Sequence, residues 1–227
     1  MPLTDDLIFR FIDVPVSDLK FSLETSKKGK KYIAVKLNGS QDFAIASCPS
    51  VTFWPRLTQP DEEYKSYSLD LHFPDLSDVS SLQSRFVRWC DELQRNFIAF
   101  LRTQKELVKQ LTTASTPIEY LVNDIIRRDL NENGEEYSPQ LSMRTSDLPL
   151  MCNALGRPDP SVTVEKGDRV YGVFKIHPYL IPKGKAGVKL LLTAVGLFEK
   201  GNGSISMPEK INKIPAWKEK EGVESEE

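Results

Sequence analysis

The chain has 227 residues, of which 40% are hydrophobic and 27% charged, enough apolar material for one domain with insertions or two small ones. Its net charge of −2 argues against a uniformly basic nucleic-acid binder, although local patches count for more than the sum. Three scattered cysteines (Cys48, Cys90, Cys152) without C-x-x-C spacing, and only two histidines (His72, His177), argue against a zinc site; no other cofactor is implied.

Residues Leu7 to Val16 form a mixed apolar opening that suits a strand. Lys20 to Asn38 reads as a hairpin turning at Gly29, where positive φ is tolerated. Its return strand alternates, with Lys31, Ile33, Val35 and Leu37 on one face and Lys30, Tyr32, Ala34 and Lys36 on the other. Between Lys20 and Lys36 stand six lysines against one acid, Glu24. Phe43 to Leu57 holds two short apolar pieces, FAIAS and VTFWP; of Phe53 and Trp54, one ring is expected in the core, and the other is a candidate for exposed stacking. Tyr64 to Phe73 is a strand with Tyr67, Leu69, Leu71 and Phe73 on its core face.

The period then changes. Ser77 or Asp78 suits an N-cap, and Val79 to Leu111 repeats apolar residues in steps of three and four: Leu82, Phe86, Trp89/Cys90, Leu93, Phe97, Phe100/Leu101, Val108, Leu111. One helix of this length would reach roughly 50 Å, and its stripe suits packing against a second copy as a homodimer. Pro117 opens a second helix over Ile118 to Leu130. Tyr137 to Asp159 is irregular, with one short strand near Leu141 to Arg144, and Val162 to Glu165 returns to strand.

From Arg169 a strand alternates again. Val170, Gly172, Phe174 and Ile176 face a core; Arg169, Tyr171, Lys175, His177 and Tyr179 share an outer face of cations and rings. A loop with Lys183 and Lys185 between glycines follows, then Val188 to Phe198, apolar enough for a strand buried on both faces, with Lys189 near its start. After Lys200 no period is usable. Residues 201–227 read as a flexible linker and an acidic tail whose last seven residues include Glu221, Glu224, Glu226 and Glu227.

Short alternating strands, basic hairpins and a helical insertion over about 78–131 predict a mainly β fold with an α insertion. The expectation is one OB-fold-like barrel over residues 1–200 carrying a long amphipathic helix. Isolated cysteines without a signal peptide point to an intracellular setting. No apolar run reaches the ~20 residues of a membrane helix, so no membrane partner is expected. Asp13, Asp18, Asp70 and Asp75 lie at no spacing diagnostic of a two-metal nuclease site, and no enzyme is predicted.

The stretch GDRVYGVFKIHPYLIPKGKAGVKLLLTAVGLFEKG resembles the late strand pair of viral single-stranded-DNA-binding proteins, of the phage replication type and relatives in large eukaryotic DNA viruses. The matching residues are Gly167, Asp168, Val170, Pro178, Tyr179, Gly187, Val188, Leu190, Ala194, Val195 and Leu197. The resemblance implies a groove that coats single-stranded DNA in replication, recombination or repair with low sequence specificity. It also implies an acidic tail that competes with DNA and recruits replication proteins, at a host nuclear or cytoplasmic replication site. Read onto that groove, Lys27, Lys28, Lys30, Lys31 and Lys36 form one wall and Arg169, Lys175, His177, Lys183, Lys185 and Lys189 another. Tyr32, Trp54, Tyr171 and Tyr179 supply rings for stacking. The competing reading is an oligomeric structural or interaction protein built on the long helix, without nucleic-acid binding.

Overall fold

The strand pair near the end of the chain organises everything else. The structure is a computed structural model and describes residues 8–53, 55–61, 63, 65–74, 76–111, 116–130, 134 and 137–201. In it β9 (Arg169–Leu180) and β10 (Ala186–Glu199) run antiparallel along their whole length. The start of β9 pairs with β5 (Ser50–Thr52), β5 with β6 (Tyr67–His72), and β6 with β7 (Gln140–Thr145). The ring closes where β7 meets β10 in parallel at Arg144 and Leu191. The five ring strands are joined in chain order as first, second, third, fifth, fourth, a Greek-key closure of the OB type.

Short strands extend the edges. β4 (Ala44–Ala46) pairs with β9 and carries β1 (Ile8–Arg10), while β8 (Leu150–Cys152) runs beside β10. The side chains of β10 are buried at most positions on both faces, which matches its almost unbroken apolar run. A register shift at Thr193 bends β10, and its hydroxyl donates to the Val173 carbonyl at 3.0 Å. Leu69, Leu71, Leu141, Met143, Val170 and Phe174 are all essentially inaccessible, as the alternation predicts.

Two glycines permit close packing. A Cβ at Gly172 would fall 2.4 Å from the Met143 methyl, a flexible end that can give way. A Cβ at Gly196 would fall 2.1 Å from the Tyr171 ring, which is rigid and 4% exposed. Gly196→Ala is therefore expected to lower stability by about 2 kcal/mol, seen as a fall of roughly 4–8 °C in Tm. An unchanged Tm would mean that the ring can leave without cost.

Helix α1 (Leu82–Thr103) is capped by Ser81, whose hydroxyl accepts from the Ser84 N–H at 3.1 Å. The cap thus lies beyond the expected Ser77 or Asp78; Asp78 instead accepts from the N–H and hydroxyl of Ser80. The predicted single helix breaks at Gln104 and resumes as α2 (Lys105–Leu111). The stripe faces its own chain. Phe86 lies 5.0 Å from Phe11, 5.8 Å from Phe73 and 6.4 Å from Phe174, ring centre to ring centre. Trp89 donates its indole N–H to the Val14 carbonyl at 2.7 Å, and Asn96 donates to the carbonyls of Val16 and Leu19. Further along, Phe97 and Phe100 meet Phe21 of a separate hairpin, β2 (Leu19–Thr25) and β3 (Lys31–Leu37). The apolar stripe on which dimerisation was expected is used to join barrel and hairpin within one chain. No described helix is long and apolar enough to cross a membrane.

The second predicted helix is mostly absent. Only Ile118–Leu121 forms a 3-10 turn after Pro117. Beyond it Val122 bridges to Ala186 and Arg127 to Gln140, so the backbone groups find sheet partners instead of helical ones. The strand expected at Val162 to Glu165 is irregular, and β8 was not foreseen.

The Gly-Asp pair that opens the last strand pair has a structural role. Gly167 takes φ +92°. Asp168, 3% exposed, accepts from the Glu165 N–H (2.9 Å), the Gly201 N–H (3.0 Å) and the Lys200 ammonium (2.9 Å). Lys200 also donates to the Thr163 carbonyl. One buried carboxylate thus holds both ends of the strand pair together where the chain leaves the barrel.

Candidate nucleic-acid interface

The distal half of the β9–β10 pair places four of the predicted side chains on one face. Tyr179 stands opposite Gly187, His177 opposite Lys189, and Lys175 opposite Leu191. Alternation therefore puts Lys175, His177, Tyr179 and Lys189 together. The reverse face, carrying Ile176, Pro178, Val188 and Leu190, is directed into the core. A Cβ at Gly187 would lie 2.7 Å from the Tyr179 hydroxyl, so the ring rests flat over that glycine. The Lys189 ammonium sits 5.0 Å from the Tyr179 ring centre, and Asn123 donates to the phenol oxygen at 2.6 Å. His177 is held below its usual pKa, first by burial and then by the Lys189 ammonium. At neutral pH it is a neutral ring and adds no charge to this face.

The connecting loop is a hydrogen-bonded turn. Gly184 N–H donates to Ile181, and Ile181 N–H to Lys185. Pro182 and Lys183 occupy its central positions, with Lys183 at φ +55°, a conformation uncommon outside glycine. Lys183 is exposed, while the Lys185 ammonium donates to the Tyr120 carbonyl at 2.5 Å.

The lysine-rich hairpin splits as the alternation predicts, and β3 lies against β9. Lys27, Lys28, Lys30 and Lys31 are exposed at its turn. Lys36 is not free, since its ammonium is 2.5 Å from Glu24. Tyr32, 40% exposed, donates to the same carboxylate, as does Gln41. The Lys36 ammonium, with smaller help from the Ser22 and Tyr32 hydroxyls, outweighs the cost of burial and holds the Glu24 carboxyl below its ordinary range. Glu24 is therefore a local counter-charge at the centre of this face.

Two predicted residues stand apart from the cluster. Tyr171 is buried over Gly196, with its phenol pushed upward by burial and by nearby Cys152, and it offers no ring for stacking. Arg169 pairs with Glu199 at 3.1 Å and covers the Phe198 ring. It lies roughly 33 Å along the strand from Tyr179. Trp54 and the tail residues Glu221, Glu224, Glu226 and Glu227 lie outside the described residues, as does Asp75. Among the described residues no three His, Cys, Asp or Glu side chains are grouped to hold a metal; Asp13 is paired with Arg10.

In OB folds oligonucleotides lie on the second and third strands, flanked by the first–second and fourth–fifth connections. Here the fourth–fifth connection is the Lys183–Lys185 loop. The first–second connection begins at Phe53, 39% exposed, whose ring lies 4.4 Å from His72 and 4.9 Å from the Lys166 ammonium. Between the flanks, β6 and β7 present Ser68, Asp70 and His72 opposite Arg144, Ser142 and Gln140. Sequence reasoning noted the Phe53–Trp54 pair but not Lys166 or Arg144. No local pattern marked them, because only the barrel brings the three segments together.

No family model matches this chain, and no curated protein is significantly similar to it in sequence. Similarity is found among solved structures. The crystal structure of gp2.5, a single-stranded DNA binding protein encoded by bacteriophage T7, superposes with a TM-score of 0.50 at 15% identity, covering 74% of this chain and 97% of that one. The single-stranded DNA-binding protein from bacteriophage Enc34 gives a TM-score of 0.43 at 16% identity, covering 82% and 96%. Its complex with single-stranded DNA gives 0.43 at 17%, covering 80% and 99%. The likeness to the phage T7 protein is one of fold, and it agrees with the OB-type ring traced above.

Proposed function

We propose that the chain is a non-catalytic single-stranded-DNA-binding protein of low sequence specificity, acting in replication, recombination or repair. The observation that carries this reading is the shared face of Lys175, Tyr179 and Lys189 beside the Lys183–Lys185 loop, at a flank where OB folds hold oligonucleotides. Ammonium groups there neutralise phosphates, and the Tyr179 ring offers a stacking surface to any base. β3 lies against β9, and in this reading the exposed lysines of the β2–β3 turn would extend the basic surface. The likeness in fold to a phage single-stranded-DNA-binding protein supports the same reading. Through the shared motif we group the chain with the phage replication type and its relatives in large eukaryotic DNA viruses. The acidic residues of 221–227 would compete with DNA for these lysines and serve as a contact for replication proteins.

Titration with oligo-dT at rising salt tests the proposal. Affinity is expected to fall with salt, with a logarithmic slope of about −0.7 per phosphate neutralised. Replacing Lys183 and Lys189 together by Ala is expected to reduce that slope by roughly 1.4. Failure to bind oligo-dT at low salt, or binding indifferent to salt, would overturn the reading. Removal of residues 221–227 is expected to tighten binding; weaker binding would count against competition by the tail.

A further inference from the structure

The interface is not built by the barrel alone. The return segment of the helical insertion, residues 117–123, is fastened to the distal strand pair at three points. Val122 bridges Ala186, with the Asn123 N–H donating to the Ala186 carbonyl (2.9 Å); the Asn123 side chain donates to the Tyr179 hydroxyl (2.6 Å); and Lys185 donates to the Tyr120 carbonyl (2.5 Å). On its other side the segment is tied to α1 through the Arg102–Glu119 ion pair, and just beyond it Gln94 donates to Asp124. Leu121 and Val122 are buried in the core, yet Tyr120 between these anchors is 71% exposed. A single exposed tyrosine is ordinary. This one stands on a backbone fixed from two directions, and its own carbonyl binds a lysine of the candidate interface.

We propose that Tyr120 is a base-stacking residue of that interface, contributed by the insertion and set beside Lys185 and Tyr179. The inference rests on the single-stranded-DNA reading given above. A ring on a fixed backbone loses little freedom when a base stacks on it, and stacking tolerates any base. The strand path would then run past the tip of β9–β10 and onto the insertion, instead of ending at the barrel.

The test compares wild type, Tyr120→Ala and Tyr120→Phe for oligo-dT affinity across salt concentrations, alongside thermal unfolding. Tyr120→Ala is expected to weaken binding ~5- to 150-fold, with an unchanged salt slope and an unchanged Tm. Tyr120→Phe is expected to stay near wild type. Lys185 is held by the backbone carbonyl, which survives both substitutions, so its phosphate contacts are retained. If wild type binds and Tyr120→Ala binds equally well, the stacking role is overturned and the barrel interface stands. If Tyr120→Ala lowers the salt slope, the residue acts by placing Lys185, and stacking is again overturned. If wild type fails to bind at all, both readings fall together.

Discussion

Phe86→Ala is expected to destabilise the protein by about 3–5 kcal/mol, the range for removing a fully buried aromatic side chain. Phe86 is inaccessible and touches the N-terminal turn through Phe11, the end of β6 through Phe73 and the barrel through Phe174, while stacking at 6.2 Å with Trp89 of its own helix. Three segments distant in sequence therefore lose contacts at once, and none of them can collapse into the space without leaving the others. Urea denaturation monitored by tryptophan fluorescence measures the loss. The midpoint should not depend on protein concentration, because the helix stripe is buried within one chain. A loss under about 1 kcal/mol would overturn the packing role given to Phe86, and a wild-type midpoint that rises with concentration would show self-association of the chain.

Asp168→Asn is expected to cost about 2–3 kcal/mol at neutral pH. The substitution keeps the shape but turns an anionic acceptor into a neutral amide facing two N–H groups and an ammonium. Burial alone would raise the Asp168 pKa. The N–H of Glu165, the Lys200 ammonium and the N–H of Gly201 outweigh it, and the folded pKa lies below the ordinary value of 3.8. A folded pKa below the unfolded one means that the contribution is fully present above the unfolded value and is lost as pH falls through the folded one. The gap in stability between wild type and Asp168→Asn should thus be constant from about pH 5 to 8, above the range in which an ordinary aspartate titrates, and shrink in stronger acid. A gap that persists undiminished in acid would assign the effect to packing and not to charge.

The lysine-rich surface and the anchoring aspartate sit at opposite ends of the same strand pair. Asp168, Arg169 and the ring of Tyr171 belong to the end that closes the barrel and holds residues 200–201. Lys175 to Lys189 belong to the end that projects toward the insertion. The motif at Gly167–Lys200 thus mixes two jobs along one element. Its Gly-Asp opening and its Ala-Val-x-Leu ending are structural, and its middle carries the candidate interface.

Periodicity was a sound guide wherever one face of an element meets the core. The splits of β3, β6 and β9 into two faces, the stripe of α1 and the short strand near Leu141 to Arg144 were legible in the chain, whereas FAIAS and VTFWP, where β4 and β5 form, read only as short apolar pieces. A strand of period two or a helix of period 3.6 records which side is apolar, and that record is local. What it does not record is what covers the other side. Tyr171 alternates with Arg169 and Lys175 as an outer-face residue, yet it is buried, because β8 lies along β10 and Gly196 leaves a hollow for the ring. Lys36 counts as a free cation in the sequence and is neutralised by Glu24, a partner placed by hairpin register. Tyr120 belongs to a predicted helix; its carbonyl meets Lys185 because Val122 and Asn123 pair with the edge of β10. The elements, their apolar faces and the local excess of lysine are written in the order of residues along the chain, since these depend on neighbours a few residues away. Ring closure, the pairing of charges and the seating of Lys185 on the Tyr120 carbonyl come from the folded arrangement alone, because each depends on contacts between segments that the chain order keeps far apart.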